Sequence, residues 1–484
     1  MRRVLSLVAV LLLSGPAAAQ TIRLSDDTGQ VAEGELLDFD GRYYRLLGPY
    51  GEITLDGSSL TCAGDDCPRP DVAARLRISG AASVVSTVLP ALLETYARRR
   101  ELDLAIVEEG VTREYTLSQS GAAVLKVALA ATSSAEGLAD LIADAADLAV
   151  TTRLPNATEQ ILAREAGRGD LSRARQRTII GLDAAVAVIG DTSTRRSVAP
   201  ADMDNAISVH VPTGDAQEAI LSILPGGRPA LVVPHPDRPA LDTALDADPE
   251  AVGLVLFSEL GGLQAIPIAG ACGAGADASQ MSIKTEDYPL VLPVYLFSPG
   301  RRLAPAARDF VDYVTSPIAQ PVIRRAGLVD QFPQTIPFGQ QGDRIGLAVV
   351  SAEEEIGLSA LRRMVQALDD RTRLTLTFRF RNGSSALDAQ SMGNVERLAE
   401  TLRDGIFQAR RLVFVGFTDR EGSAAANQRV SLERATAVRD AVAALAPGGS
   451  AELAVEAYGE ALPMACDDTD WGKRVNRRVE LWLE

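Results

Sequence analysis

The sequence predicts a multidomain chain: a small all-β N-terminal module, then an α/β domain with a largely parallel sheet, then a small α/β sandwich. Three observations carry that expectation. Turn signals crowd residues 21–61, at Asp27-Thr28-Gly29, Asp40-Gly41, Pro49-Tyr50-Gly51 and Asp56-Gly57, between short apolar runs. From about residue 74, strand-like runs alternate with helical periodicity, as in parallel βα units. A new amphipathic run begins near residue 353, after a linker-like segment (331–352) marked by Pro333, Pro337 and "GQQGD". A length of 484 residues agrees with roughly three domains.

The first 19 residues are set apart. Arg2-Arg3, the apolar run "VLSLVAVLLL" and the small-residue sequence ending in Ala17-Ala18-Ala19 have the form of a secretory signal peptide cleaved after Ala19. A run of ten residues is too short for a permanent membrane span, and no cysteine follows the cleavage site to carry a lipid. An exported chain is expected. Acidic residues outnumber basic ones, 64 to 48, for a formal charge of −16. Without Arg2 and Arg3 the balance is 46 to 64, or −18. That excess argues against nucleic acid as a partner and against attachment to anionic membranes by bulk charge. An anionic ligand would have to be captured locally, by helix ends and a few arginines.

Within residues 20–70, "LLDFDGRYYRLL" reads as a hairpin turning at Asp40-Gly41. Cys62 and Cys67 in "TCAGDDCP" are close enough in sequence to bridge, and an exported chain favours disulfides. Cys272 and Cys466 lie far apart; pairing across domains and two separate buried thiols are both open. Over 74–330, "RLRISG" is a strand feeding the helix "SVVSTVLPALLETYARRR". "AVLKVALAA" leads through "TSSAEG" into the helix "LADLIADA" and the strand "DLAVTT". "AVGLVLFSEL" and "YPLVLPVYLFSP" are further strands, and Ala306 to Gly327 is a terminal helix. Residues 331–369 read as linker and helix, and 370–484 as alternating strands and helices from "LTLTFRF" to "RRVELWL".

Signatures of catalysis are missing. His210 and His235 lack metal-ligand spacing, and there is no GxSxG elbow, HExxH or phosphate-binding loop. The chain is expected to be non-catalytic and to need no metal or cofactor. Two turns into helices stand out instead: Gly80-Ala81-Ala82-Ser83 and Thr132-Ser133-Ser134-Ala135-Glu136-Gly137. Small residues admit a ligand to the backbone, hydroxyls donate, and free N–H groups at a helix start attract an oxyanion. Plain N-capping by serine and threonine is the simpler account of either turn alone.

The stretch "VGFTDREGSAAANQRVSLERATAV" (415–438) poses a different question. Helical spacing puts Asn427, Ser431 and Arg434 on the stripe that continues with Val438, Val442 and Leu445, while Arg429, Glu433, Thr436 and Asp440 occupy the opposite face. A cation that begins a core stripe needs an anionic partner, and Asp419 stands at the mouth of the same loop.

Residues 74–330 resemble the phosphate-type periplasmic substrate-binding proteins of ABC transporters. The matching pieces are "ISGAASVVSTVLPALLETYA", "SSAEGLADLIADAADLAVTTR", "DPEAVGLVLFS", "EDYPLVLPVYLF" and "DFVDYVTSPIAQPVIRRAGLV". The resemblance implies two lobes closing on an oxyanion. Ser83 takes the first-loop hydroxyl position, Ser133 and Ser134 the second, and Thr151, Thr152 and Arg153 the strand-end position. Phosphate binders carry an aspartate where Thr152 stands, and their Ser-Gly-Thr loop is echoed by Thr213-Gly214-Asp215. Residues 370–484 resemble the OmpA-like peptidoglycan-binding domain, through "GFTDREGSAAANQRVSLERA", with Phe417 in place of a histidine, and the closing Asn476 to Glu480. That resemblance implies that Asp419 and Arg434 grip the zwitterionic end of meso-diaminopimelate in the peptide stem. A carboxylate takes the ammonium, a guanidinium fork takes the carboxylate, and Asn427 bonds between them. No series of ten-residue alternating strands precedes this block.

Together these readings describe a non-catalytic protein of the Gram-negative periplasm, associated with peptidoglycan and the outer membrane. It would tether to peptidoglycan through its C-terminal domain and bind phosphate or another small oxyanion in a two-lobed cleft. An ABC transporter is a partner the first resemblance implies. The alternative is a structural wall-binding scaffold whose central domain no longer binds solute and docks a protein.

Overall fold

The computed structural model describes residues 21–484 apart from 65, 69–72, 111, 200–201, 204–206, 225–228, 230, 271, 273, 351, 353–357, 382–383 and 385. The expected signal peptide therefore lies outside the described residues. Thr21–Asp26 (β1), Gly29–Phe39 (β2), Tyr43–Gly48 (β3), Gly51–Asp56 (β4) and Thr61–Ala63 (β5) form an antiparallel sheet in the order β4-β3-β2-β1-β5. The Asp40 carboxylate accepts from the backbone N–H groups of Arg42 (2.9 Å) and Tyr43 (2.8 Å) and so fixes the Asp-Gly turn. Ile22, Leu24, Phe39, Tyr44 and Leu46 make a small core, and Cys62 and Cys67 are bridged. Arg45 to Asp144 (2.6 Å) and Arg75 to Asp38 (2.6 Å) hold the module against the next domain.

The central domain runs through Ala74–Ala81 (β6), Ala82–Arg99 (α1), Asp103–Glu109 (β7), Thr112–Gln119 (β8), Ala122–Thr132 (β9), Ser134–Ile142 (α2), Leu148–Thr151 (β10) and Ala157–Glu165 (α3). The long strand Arg177–Ile189 (β11) follows, then Val209–Pro212 (β12), Asp215–Ile223 (α4), Val232–His235 (β13), Arg238–Ala247 (α5) and Val252–Leu256 (β14). Three two-residue pieces, Gln264–Ala265 (β15), Ile268–Ala269 (β16) and Gly275–Ala276 (β17), precede Gln280–Lys284 (α6) and Val291–Phe297 (β18). The domain closes with Pro305–Thr315 (α7) and Gln320–Arg325 (α8), two helices where the spacing suggests one. Pro317 and Pro321 account for the break, because each removes a backbone donor.

The central strands follow the order β13-β12-β14-β11-β18-β10-β6-β9-β8-β7. β11 is the seam. Its first half pairs with β18, and Ala185 to Val188 pair with β14, so one strand passes from the first lobe (β6–β10, α1, α2) into the second (β12–β14, α4, α5). Nearly every residue of β11 is buried. Glycine lets α2 close on the sheet: a Cβ on Gly80 would lie 1.9 Å from the Val150 carbonyl oxygen, and one on Gly137 would lie 2.6 Å from the Gly80 Cα. That approach aims the start of α2 at the groove between the lobes.

The C-terminal domain comprises Thr335–Pro337 (β19), Gly342–Val350 (α9), Leu358–Leu368 (α10), Thr372–Arg379 (β20), Ala389–Arg403 (α11), Arg411–Phe417 (β21), Ala424–Leu445 (α12), Glu452–Ala457 (β22), Asp470–Asn476 (α13) and Arg478–Leu483 (β23). Its sheet runs β19-β20-β23-β21-β22. The expected linker is structured: β19 is an edge strand, and Ala348 of α9 packs with Leu361, Met364 and Leu368 beneath Val413, Val415, Phe417 and Trp482. The helices α11 and α12 cover the other face. "LTLTFRF" alternates in sequence, yet both of its faces are buried: Leu374, Leu376 and Phe378 pack in the core under α11 and α12, and on the other face Thr375 accepts from the Gln334 N–H and Arg379 donates to the Glu286 carbonyl. Among the described residues no helix is long and apolar enough to cross a membrane.

Central and C-terminal domains are joined by more than the chain. Cys272 and Cys466 form a disulfide, which decides the pairing left open by the sequence. Arg379 donates to the Glu286 carbonyl, and Arg373 pairs bidentately with Asp287 (2.6 and 3.0 Å). Behind Arg373 lies Glu480, fully buried and shared by Arg344, Arg478 (2.7 Å) and Arg373 (3.4 Å). Burial alone would raise its pKa, but the three guanidiniums hold it well below the carboxylate range.

Glu480→Ala strands three buried cations and should cost about 3–5 kcal/mol of domain stability. The readout is an earlier urea transition followed by fluorescence of Trp471 and Trp482, both of which lie in this domain. A carboxylate depressed by folding stabilises above its unfolded pKa of about 4.3 and loses that contribution as acid protonates it. Acid unfolding of the Glu480→Gln variant should therefore be shallower below pH ~4.3 than that of the unmodified chain.

Candidate functional site

The stretch singled out in the sequence forms one wall of a cavity of about 530 Å³, lined among others by Thr418, Asp419, Asn427, Arg434, Arg477 and Phe380. β21 ends at Phe417, the chain turns over Thr418 to Gly422, and Ser423 caps α12 by accepting from the Ala426 N–H (3.3 Å). A Cβ on Gly416 would lie 2.0 Å from the Ser431 carbonyl oxygen, so only glycine lets α12 press this close to β21. Asn427 and Ser431 are buried and Arg434 is half-buried, with Ala435, Val438 and Val442 as core below them. Leu445 departs from the expected stripe: on the last turn of the helix it is 48% exposed.

Asp419 and Arg434 face the same cavity without bonding each other. One Asp419 oxygen accepts from Arg477 (2.5 Å) and the other from the Glu421 N–H (3.3 Å). Among the described residues Arg434 makes no ion pair. Its guanidinium lies 5.3 Å from the centre of the Phe380 ring. Burial and the nearby Arg477 lower its pKa, while Asp419 works the other way. Two more groups lining the cavity are buried and unpartnered, the Asn427 side-chain nitrogen and the Thr418 hydroxyl. The cavity is therefore lined by a carboxylate and a guanidinium that do not bond each other, and by Asn427 and Thr418, each with a buried polar atom that has no partner.

The loops around it are anchored. Asp467 accepts from the Arg420 N–H (2.8 Å) and from Asn476 (2.6 Å), and Asn476 also accepts from the N–H groups of Met464 and Ala465. Cys466, bridged to the central domain, sits inside that loop. Phe417 is wholly buried under Arg478 (4.5 Å to the ring centre), outside the cavity. Arg477 was the residue missed; its signal was the Asn-Arg-Arg run, quoted as motif but not assigned to Asp419.

In the central domain the predicted residues divide. Ser134, fully buried at the start of α2, is braced by the Thr152 N–H (3.1 Å) and hydroxyl (3.2 Å). Its own N–H (2.9 Å) and hydroxyl (3.2 Å) donate to the Asp215 carboxylate, from the start of α4 in the other lobe. Ser83 is on the first turn of α1, which packs against α4. Of the other three, Ser133 and Thr151 turn to local partners, whereas Arg153 also reaches Glu218 of the other lobe. Ser133 is the N-cap of α2 and bonds Glu136, Thr151 donates to the Arg153 carbonyl (2.7 Å), and Arg153 is forked onto Glu159 (2.8 and 2.8 Å) and bonded to Glu218 (2.6 Å). Asp215 and Glu218 were missed as cleft residues, although Thr213-Gly214-Asp215 marked their loop.

His210 and His235, the only histidines of the chain, bond each other across β12 and β13, with Nδ1 to Nε2 at 2.9 Å. Burial, and then His235, lower the His210 pKa.

Comparison with known proteins places this geometry. Residues 379–477 match the OmpA family. The outer membrane porin F of Pseudomonas fluorescens is 34% identical over 114 residues, which cover 23% of this chain and 33% of that protein; the chain thus spans about a third of that relative's length. Among solved structures, an ABC-type phosphate transport receptor from Vibrio cholerae is similar at 16% identity and a TM-score of 0.39, over 53% of this chain and all of that one. A peptidoglycan-associated lipoprotein from Burkholderia pseudomallei is similar at 24% identity and a TM-score of 0.21, over 22% of this chain and 89% of that one. The chain is a multidomain protein with an all-β N-terminal sheet, a two-lobed α/β middle region and an OmpA-like α/β domain at its C-terminal end.

A histidine pair that shares one proton stabilises when neutral. Because folding depresses the His210 pKa, this contribution is complete above about pH 6.5 and lost as the pH falls below it. The melting temperature should drop between pH 7.5 and 5.5, and His235→Gln should flatten that drop; an unchanged profile would count against it.

Proposed function

We propose that the chain is a peptidoglycan-tethered, non-catalytic protein of the Gram-negative periplasm, exported by its N-terminal signal. Its C-terminal domain takes the free amino-acid end of meso-diaminopimelate from the peptide stem. The observation that carries this reading is the cavity itself, lined by Asp419 and Arg434, which do not bond each other, and by Asn427 and Thr418, each with a buried polar atom that has no partner. A zwitterion supplies what each side lacks: its ammonium adds to Asp419, and its carboxylate meets the Arg434 fork. Arg477 positions the Asp419 carboxylate.

The central domain is read as a receptor for phosphate or another small oxyanion, serving storage, sensing or hand-off to an ABC transporter. The start of α2 supports this, since the Ser134 N–H and hydroxyl converge on a carboxylate oxygen. The second reading is a scaffold whose central domain takes no solute and docks a protein. It is favoured by the commitment of Arg153 to Glu159 and Glu218.

Sedimentation with purified sacculi tests the tether. Asp419→Ala and Arg434→Ala should each reduce retention at least tenfold, and retention equal to the unmodified chain removes the assignment. Isothermal titration with phosphate and sulfate separates the two readings of the central domain. Saturable heat supports the receptor, and its absence with both anions supports the scaffold.

A further inference from the structure

Asp215 belongs to the second lobe, but its carboxylate is spent in the first. Its Oδ1 accepts from the backbone nitrogen of Ser134 at 2.9 Å and from the Ser134 hydroxyl at 3.2 Å, where an incoming oxyanion would meet the start of α2. Glu218, one turn farther along α4, crosses the same groove to Arg153 at 2.6 Å. The lobes are therefore closed on a carboxylate that the chain itself provides.

Two observations separate this arrangement from an ordinary structural hydrogen bond. Asp215 is only 9% exposed, and its second oxygen, Oδ2, is buried with no partner. A carboxylate retained for stability alone is expected to have both oxygens satisfied. The Ser83 hydroxyl, on the first turn of α1, is likewise buried and unpartnered, and α1 packs against α4. The groove thus contains an anion short of donors. Burial disfavours the ionised form of Asp215, the two Ser134 hydrogen bonds favour it, and Glu218 and Arg153 act in opposite directions. Arg153 is itself matched by two glutamates.

We propose that Asp215 is a built-in competitor for the oxyanion seat, so that a free oxyanion binds only by displacing this carboxylate from Ser134 and parting the lobes. The inference rests on reading the central domain as a small-anion receptor and adds how that receptor is gated. A tethered group competes at an effective concentration on the order of millimolar or more, and the apparent affinity for a free ligand falls in proportion.

The test is isothermal titration of the full chain with inorganic phosphate and with sulfate, comparing the unmodified protein with Asp215→Ala and Asp215→Asn. The alanine variant empties the seat; the asparagine variant keeps its shape without the charge, and serves alone if the alanine variant does not fold. Binding at least tenfold tighter in the variants is expected, with acetate, a stand-in for the deleted carboxylate, competing against phosphate in Asp215→Ala. Equal or weaker binding in the variants overturns the gate while leaving the receptor reading intact, because the unmodified chain would then bind anions with Asp215 as a contact or bystander. Silence with both anions in all three folded proteins overturns the gate and the receptor reading together.

Discussion

Burying Glu480 is the constraint on which the C-terminal half is organised. A fully enclosed carboxylate persists only if cations enclose it, and here those cations come from three places: Arg478 two residues away on β23, Arg373 on β20, and Arg344 on α9. Each brings its element with it. Arg373 extends the arrangement across the domain boundary to Asp287, and the indole of Trp482 donates to the remaining Glu480 oxygen at 3.2 Å. Sheet, covering helix and neighbouring domain are therefore registered against one buried charge.

This registration reaches the candidate peptidoglycan socket through the strand that carries Glu480. The segment leading into β23 holds Asn476 and Arg477; the first ties down the 464–467 loop, and the second bonds Asp419. The disulfide from Cys466 to Cys272 fixes that loop to the central domain. Asp419 and Arg434 are kept apart in spite of their attraction: Asp419 bonds a different arginine, and Arg434 lies over Phe380. The two groups stay available because neither is the other's nearest partner.

Much of the architecture was legible beforehand, for physical reasons that can be named. The Asp40-Gly41 hairpin has its own turn chemistry, and α12 declares itself by a cap, a period and a continuous stripe. Where the reading went astray, the cause was long-range. Residues 331–352 look like linker because prolines and glycines interrupt every pattern, yet their few apolar residues find a sheet face left uncovered by the rest. "LTLTFRF" reads as half-solvated because nothing local reports the second layer that buries Thr375 and Thr377. Ser133, Ser134, Thr151, Thr152 and Arg153 form two short runs, but only Ser134, Thr152 and Arg153 converge on the cleft while Ser133 and Thr151 bond locally, since backbone direction decides which side chains turn inward.

By itself, the sequence determined the order and type of the domains, the cysteine pair close enough to bridge, and the nearness of Asp419, Asn427 and Arg434, which line one cavity. These are local properties, set by periodicity, turn chemistry and short spacings. The tertiary structure alone decided that Cys272 meets Cys466, that Arg477 rather than Arg434 holds Asp419, and that the Asp215 carboxylate of one lobe bonds Ser134 at the start of α2 in the other. Each of those pairings joins groups tens to hundreds of residues apart, and only the packed chain brings their charges within bonding distance.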